Sequence, residues 1–172
     1  ICFFGTLGHQ MDFDTLINVL NNLSKKSVKL IICGSGDKED YLKDLSRNSN
    51  IIFPGYMSAQ ELKSLMIVSD LGVCPHIPKQ MYLDTIPGKA IEYMSEGLPI
   101  ITTLGNGELG KLIEQKNFGH SYKAFETESL THLILDILKN KNLLANKRDE
   151  IIRFYNQTFD KSVVYKNYSN HI

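Results

Sequence analysis

Five short apolar runs, separated by longer amphipathic segments, restrict the fold of this sequence more than any other feature. The runs are Ile1–Phe4, Val28–Cys33, Ile51–Phe53, Leu71–Cys74 and Pro99–Thr102. Continuous apolar runs of this length predict strands that are covered on both faces, as in parallel sheets. The segments between them predict helices, and the alternation implies right-handed crossovers. We therefore predict an α/β domain with a doubly wound, Rossmann-like parallel sheet.

Three of the intervening segments carry specific helix signals, and two of them also mark where the helix starts or ends. Asp12–Lys26 has apolar residues at helical spacing. Ser58–Val68 opens with the Ser-x-x-Glu spacing of a capping box. Pro87–Glu96 has proline in its first turn and stops at Gly97, the usual helix terminator.

Beyond Phe125 the pattern becomes entirely helical. Helices are predicted at Thr127–Lys141, Asn146–Tyr155 and Asp160–Tyr168. No linker-like composition divides the chain, so we predict one domain over 1–172, with a sheet core in 1–125 and a helical tail in 126–172. Because there is no initiator methionine and the first residues are already strand-like, we expect the sequence to be a piece of a longer protein.

The charge balance and the cysteines argue against several classes of function. The 172 residues carry 19 Lys and Arg against 19 Asp and Glu, a formal net charge of zero, which argues against a broad nucleic-acid-binding surface. No apolar run approaches the roughly 20 residues of a membrane-spanning helix. The three cysteines are scattered without metal-ligand spacing, which predicts buried thiols in a reducing compartment and no zinc site.

The loops after the apolar runs are the candidate site, because ligands of doubly wound sheets bind beyond the carboxyl ends of the strands. Four of the five loops contain glycine, which lets a ligand approach the backbone closely. The residues after the first three runs are Gly5 and Thr6, Gly34 and Gly36, and Gly55, Tyr56 and Met57. The Gly-x-Gly follows the second run instead of the first and lacks a third glycine. It is therefore an incomplete match to the fingerprint of NAD-binding domains.

The segment before the fifth run holds the densest set of candidate groups. Gly88 and Lys89 lie at a predicted helix start, where unpaired amides and the helix dipole attract anions. Glu92 follows one turn later, and Asp84 precedes it by eight residues. Two carboxylates flanking an anion site suit a nucleotide sugar. Helix capping by Asp84 and a solvated Glu92 account for the same spacing equally well.

Several motifs resemble the C-terminal, donor-binding half of GT-B glycosyltransferases, specifically glycosyltransferase family 4. The resemblance covers nearly the whole length. It is based on the Gly-x-Gly after an apolar strand and on the blocks IIFPGYMSAQEL, SDLGVCP and DTIPGKAIEYMSEGLPIIT. The last block is similar to the family's Glu-x7-Glu segment, and its PGKAIEYM form is similar to the branch that builds bacterial surface polysaccharides.

The resemblance implies a retaining transferase that moves a sugar from a nucleotide diphosphate to a glycan or lipid-linked acceptor. It assigns Glu92 to the ribose and Asp84 to hydroxyls of the transferred sugar. Backbone groups complete the implied site: Ile86, Gly88 and Lys89 at the diphosphate, Gly55, Tyr56 and Met57 at the base, and Gly34 and Gly36 on the neighbouring wall. The nucleotide sugar is a substrate, and no cofactor is expected.

The chain departs from the family pattern around the diphosphate. The first acid is Asp84 instead of glutamate. After the first strand the family has Gly-Arg and then Lys-Gly, whose cations serve the diphosphate, whereas this chain has Gly5-Thr6 and no cation at the second place. Our hypothesis is that Lys89 partly replaces these cations, which makes Asp84 and Lys89 the predicted catalytic residues.

The family pattern also implies an N-terminal acceptor domain outside this sequence, without which the chain alone would transfer nothing. The expected location is cytoplasmic, including the inner face of the membrane. Two other classes stay open. A sugar-nucleotide epimerase of the same architecture would use the same cradle, and a non-catalytic nucleotide-binding domain would explain the missing cations.

Other residues have less specific interpretations. Asp12 and Asp14 spell an Asp-x-Asp, but acids at a helix start favour capping, so no metal site is predicted. His76 is expected to face solvent, and Glu108 to begin a helix. The aromatic residues of the tail either dock on a partner domain or pack on their own domain; they are Phe154, Tyr155, Tyr165 and Tyr168.

Overall fold

A computed structural model describes residues 1–23, 28–46, 50–140, 144 and 146–169. Its sheet has six strands: β1 Cys2–Phe4, β2 Leu30–Cys33, β3 Ile51–Gly55, β4 Gly72–Cys74, β5 Ile100–Thr102 and β6 Gly119–Ser121. They are hydrogen-bonded in the order β3-β2-β1-β4-β5-β6, and every pairing is parallel. The doubly wound, Rossmann-like sheet is therefore confirmed.

Helices connect these strands and form the C-terminal tail. They are α1 Phe13–Asn22, α2 Glu39–Leu45, α3 Ala59–Val68, α4 Gln80–Leu83, α5 Gly88–Ser95, α6 Glu108–Gln115, α7 Thr127–Lys139, α8 Arg148–Thr158 and α9 Lys161–Ser169. The capping box of α3 is present, with the Ser58 amide 2.7 Å from the Glu61 carboxylate. Glu108 begins α6 as expected. The predicted helix ends Lys26 and Lys141 lie outside the described residues.

Two elements differ from the prediction. The apolar runs predict five strands and do not include β6, which has the sequence Gly-His-Ser and pairs with β5 alone. An edge strand needs no continuous apolar run, so the pattern used for the other five does not detect it. The segment taken as one loop between Pro75 and Ile86 also contains a helical turn, α4.

The four inner strands are covered on both faces, as their apolar runs predict, whereas Ile52 of the edge strand β3 is 43% exposed. Phe3 of β1 packs into a cluster with α1 and α7, whereas its neighbours Cys2 and Phe4 pack into a second cluster with α5 and α6. Successive side chains of a strand point to opposite faces, so one short strand contributes to both cores. The three cysteines are free and buried, as expected.

Tyr93 fixes α5 against the junction of β1 and β4, where the order of the strands in the sheet reverses. Strands β1 and β4 meet there with Cys2 opposite Gly72. The fully buried Tyr93 hydroxyl lies 3.1 Å from the Cys2 carbonyl and 3.3 Å from the Val73 carbonyl. Because α5 runs antiparallel to the strands, this contact fixes its N-terminus at the carboxyl edge of the sheet.

Arg148 of α8 fastens the tail to the rest of the domain. Its guanidinium donates to the Glu96 carbonyl at 3.1 Å, to the Met66 carbonyl at 3.3 Å and to the Ser69 carbonyl. These carbonyls belong to the ends of α5 and α3, where helical partners are missing. A fork of guanidinium donors therefore caps two helices at once.

We expect an Arg148→Ala protein to lose about 2 kcal/mol of unfolding free energy, because three carbonyls lose charge-assisted donors. Urea denaturation monitored by circular dichroism measures the change. Arg153→Ala is the matched control, since Arg153 is exposed on the same helix, and a shift within about 0.5 kcal/mol is expected there. Equal losses in the two proteins would contradict the capping role of Arg148.

Candidate functional site

Backbone hydrogen bonds join the predicted glycine loops at the carboxyl edge of the sheet. The Gly5 amide donates to the Cys33 carbonyl at 3.1 Å, and the Gly34 amide donates to the Gly55 carbonyl at 2.7 Å. Gly34 has a φ of +121°, and a Cβ there would overlap the Gly5 carbonyl oxygen. Glycine is therefore required for the first two loops to approach each other. The loops that begin at Gly5, Gly34 and Gly55 form one continuous wall.

The first turn of α5 faces this wall and brings a cation to it. Pro87 is the N-cap and Gly88 the first helical residue. The Lys89 ammonium lies 3.8 Å from the centre of the Phe3 ring, and 3.4 Å from the position that a Cβ on Gly5 would occupy. Lys89 therefore reaches back to the loop after β1, the place where the family pattern has an arginine.

Burial changes the acidity of this lysine. Desolvation lowers the pKa of the Lys89 ammonium to about 8, while the carboxylate of Glu92 opposes the shift. The amine is thus mostly charged at neutral pH and close to its titration point. A half-buried cation at a helix N-terminus is an anion site in which the charge and the dipole act together.

The two candidate carboxylates are exposed near this helix start. Asp84 is the C-cap residue of α4, and its carboxylate accepts a hydrogen bond from the Gln80 side chain at 2.7 Å. It does not cap α5, so the capping alternative for Asp84 is wrong. Glu92 lies one turn inside α5 and is exposed. Both carboxylates are open to a ligand at the carboxyl edge.

His76 is buried, with 5% of its surface exposed, so the expectation that it faces solvent is wrong. Its backbone pairs with Met11 in an antiparallel bridge, and the Thr103 hydroxyl donates to its carbonyl. Burial, aided by the charge of Lys89, lowers the pKa of the imidazole to about 4, so it is neutral at physiological pH. The sequence signal that pointed to burial was its position inside the run Cys-Pro-His-Ile.

The Asp-x-Asp is used structurally. Asp12 is the N-cap of α1: its carboxylate accepts from the Thr15 amide at 3.3 Å and from the Phe125 amide at 2.7 Å. Asp14 is bound by the Lys38 ammonium at 3.2 Å and the Tyr41 hydroxyl at 2.8 Å. Capping by Asp12 is confirmed. Over the described ranges, no group of three His, Cys, Asp or Glu side chains is placed to hold a metal ion.

The aromatic tail packs mainly on its own domain. The Phe154 ring lies 5.4 Å from that of Phe118 and 5.9 Å from that of Phe159, and Tyr155 is partly buried in the same cluster. Tyr165 is 71% exposed, and the Tyr168 side chain lies outside the described residues.

In the part of the chain that the structure describes, no helix is long and apolar enough to cross a membrane.

A cavity of about 720 Å³ opens at the opposite, amino edge of the sheet. Its lining is largely apolar and includes Ile1, Leu71, Pro99, Ile134 and Leu138. These residues precede strands or belong to α7, so the cavity is separate from the glycine wall and the start of α5.

Known proteins similar to this chain are glycosyltransferases. The sequence profile of the family described as glycosyl transferases group 1 matches residues 1–154. An uncharacterized glycosyltransferase of Methanocaldococcus jannaschii is 30% identical over 112 residues, which are 62% of this chain and 27% of that protein. The chain thus spans about a quarter of the length of this curated relative.

Solved structures show the same fold. Anabaena HepE in complex with UDP superposes with a TM-score of 0.81 at 19% identity, over 99% of this chain and 47% of HepE, and HepE is also known with UDP-glucose. The C-terminal domain of a glycosyl transferase group 1 family protein from Francisella tularensis superposes with a TM-score of 0.74 at 14% identity, over 93% of this chain and 85% of that one. This chain therefore corresponds to about half of HepE.

These structures identify the sheet and its helices as a Rossmann-like domain of the kind found in GT-B glycosyltransferases. The family profile extends over most of the chain. The protein therefore belongs to the glycosyl transferase group 1 family.

Proposed function

We propose that this chain is the C-terminal, donor-binding domain of a retaining glycosyltransferase of family 4. The whole enzyme would transfer a hexose from a nucleotide diphosphate to a glycan or lipid-linked acceptor in the synthesis of a bacterial surface polysaccharide. The observation that carries the proposal is the Lys89 ammonium, which lies beside Gly5 at the start of α5. Two similarities support it: HepE binds UDP and UDP-glucose, and the Francisella domain is C-terminal in its own protein.

The proposed chemistry depends on charge at the leaving group. As the bond between sugar and diphosphate breaks, negative charge grows on the departing nucleotide. The amides of Gly88 and Lys89 in the first turn of α5, together with the Lys89 ammonium, are placed to stabilise that charge. The remaining contribution is orientation of the donor, which needs no nucleophile from this domain.

The other predicted residues have separate roles in the same proposal. Glu92 holds ribose hydroxyls, and Asp84 holds hydroxyls of the transferred sugar. Their exposure supports these roles. Backbone groups of Ile86, Gly88 and Lys89 bind the diphosphate, and those of Gly55, Tyr56 and Met57 bind the base. Gly34 and Gly36 form the neighbouring wall, and Gly5 and Thr6 complete the donor site.

The acceptor in this proposal binds to an N-terminal domain, so the 172 residues alone would transfer no sugar. The free, buried thiols of Cys2, Cys33 and Cys74 suit a reducing compartment. The proposed location is the cytoplasm, including the inner face of the membrane.

Calorimetric titration with UDP, GDP and ADP tests the proposal, followed by the matching nucleotide sugars. We expect the chain to bind one diphosphate selectively, and Glu92→Ala to weaken that binding roughly tenfold or more, the loss of a charge-assisted hydrogen bond. Glu128→Ala is the matched control, because Glu128 is an exposed acid near the start of α7. Unchanged affinity in Glu92→Ala would contradict the ribose role.

A further inference from the structure

The turn that carries Asp84 has little stability of its own. Helix α4 has four residues, none of them buried. Its backbone bonds are local, with the Leu83 amide 3.1 Å from the Lys79 carbonyl and the Asp84 amide 3.0 Å from the Gln80 carbonyl. A single turn is far too short to be stable in isolation. The position of the Asp84 carboxylate therefore depends on what α4 packs against.

Two contacts with residues distant in the sequence hold this turn. The Tyr82 ring lies 5.2 Å from the His76 ring at an interplanar angle of 45°. The Leu83 backbone packs against Gly107, where a Cβ would come within 2.7 Å of the Leu83 carbonyl oxygen. Both contacts involve residues within two positions of Asp84.

His76 is a rigid support for the first contact. The Asp12 amide donates to the Pro75 carbonyl at 2.7 Å, and the Ile77 amide donates to the Gln10 carbonyl at 2.9 Å. The hydroxyl of Thr103, the residue directly after β5, donates to the His76 carbonyl. The backbone on both sides of the imidazole is thus hydrogen-bonded to neighbouring loops, and only 5% of the surface of His76 is exposed.

The histidine is not explained by stability alone. Its Nδ1 is buried and has no hydrogen-bond partner within the part of the chain that the structure describes, and such an atom is costly. What the ring does offer is a flat, neutral surface against which Tyr82 packs. An aromatic pair of this kind fixes both distance and orientation.

We propose that His76 and Tyr82 are positioning residues that fix the Asp84 turn for recognition of the transferred sugar. This inference rests on the proposed function, in which Asp84 contacts that sugar. Tyr82 is the partner on α4, and His76 is the partner on the loop that follows β4. The rings act on the donor only through the place of the Asp84 carboxylate, so they affect the nucleotide sugar and not the nucleotide.

Titration with UDP and with UDP-glucose separates recognition of the transferred sugar from binding of the nucleotide. Asp84→Ala is expected to weaken UDP-glucose binding roughly tenfold and to leave UDP binding unchanged. Tyr82→Ala should show the same pattern, and the double variant should lose no more than either single one, because both changes remove one interaction. Tyr82→Phe should restore binding, and Met81→Ala, on the same turn and 64% exposed, should resemble the native chain.

Hydrogen exchange of the ligand-free chain tests the contact itself. The amides of residues 82–84 should exchange several-fold faster in Tyr82→Ala and His76→Ala than in the native chain, with His76→Phe restoring protection. Unchanged exchange in Tyr82→Ala, or unchanged UDP-glucose affinity in Tyr82→Ala when Asp84→Ala weakens it, would overturn the positioning role alone. Native-like UDP-glucose binding in Asp84→Ala would overturn the sugar role of Asp84 and this inference with it.

Discussion

A Lys89→Met protein is expected to bind UDP roughly 30-fold more weakly than the native chain at pH 7. Methionine keeps an apolar stem against Phe3 and removes only the ammonium that lies beside Gly5. A charge that is partly shielded from water interacts more strongly with a phosphate than an exposed one does. Calorimetric titration measures the loss, and Lys111→Met is the control because Lys111 is an exposed lysine on α6.

The pH dependence of UDP binding provides a second test of the role of Lys89. Burial lowers its pKa to about 8, so the free chain loses this charge as the pH rises from 7 to 9. UDP affinity of the native chain should therefore fall across that range, whereas Lys89→Met should show a much flatter profile. Native-like affinity in Lys89→Met, or parallel pH profiles in the two proteins, would remove Lys89 from the diphosphate site.

A Gly72→Ala protein is expected to lose about 3 kcal/mol of unfolding free energy, the upper part of the range for overpacking a core. A Cβ on Gly72 would lie 2.6 Å from the ring of Tyr93. That ring is fully buried, and its hydroxyl is held by the carbonyls of Cys2 and Val73. It has no direction in which to yield, so the two strands or α5 must shift. Urea denaturation measures the loss.

Two further proteins make this prediction specific. Gly88→Ala adds the same methyl group where nothing lies within 4 Å, so its stability should stay within about 1 kcal/mol of the native value. Gly72→Ala should cost less in a Tyr93→Leu protein than in the native chain, because the smaller side chain leaves room for the Cβ. A Gly72→Ala protein as stable as the native chain would show that the junction of β1 and β4 is loosely packed.

The parts of the fold predicted from the sequence are those with strong local patterns. Strands β1, β2, β4 and β5 are apolar because both faces of the sheet are covered there, and α3 carries its own capping box. Strand β6 escaped prediction because an edge strand of Gly-His-Ser has no apolar run. Helix α4 escaped because a single turn shows no periodicity, and it is stabilised by contacts with His76 and Gly107 that are distant in the sequence.

The candidate site was predictable in outline and not in detail. The helix start at Gly88 follows from Pro87 and from the pattern behind it. The burial of Lys89 against Phe3 joins residues that are 86 positions apart, so no local pattern contains it. His76 was wrongly expected in solvent: its place in Cys-Pro-His-Ile favours burial, but the loops of Met11 and Thr103 that enclose it come from other parts of the chain. The roles assigned to Asp84 and Glu92 stay predictions.

The junction of β1 and β4 also bears on the order in which the chain assembles. Strands β1, β2 and β3 come from residues 1–55, and β4, β5 and β6 come from residues 72–121. Each half-sheet can therefore form from contacts that are close along the chain, whereas Cys2 and Gly72 must meet across 70 residues, a slower event. Gly5 and Gly34 belong to one half, and Lys89 and Glu92 belong to the other. A nucleotide bound between them would contact both halves, so its binding free energy would stabilise their association.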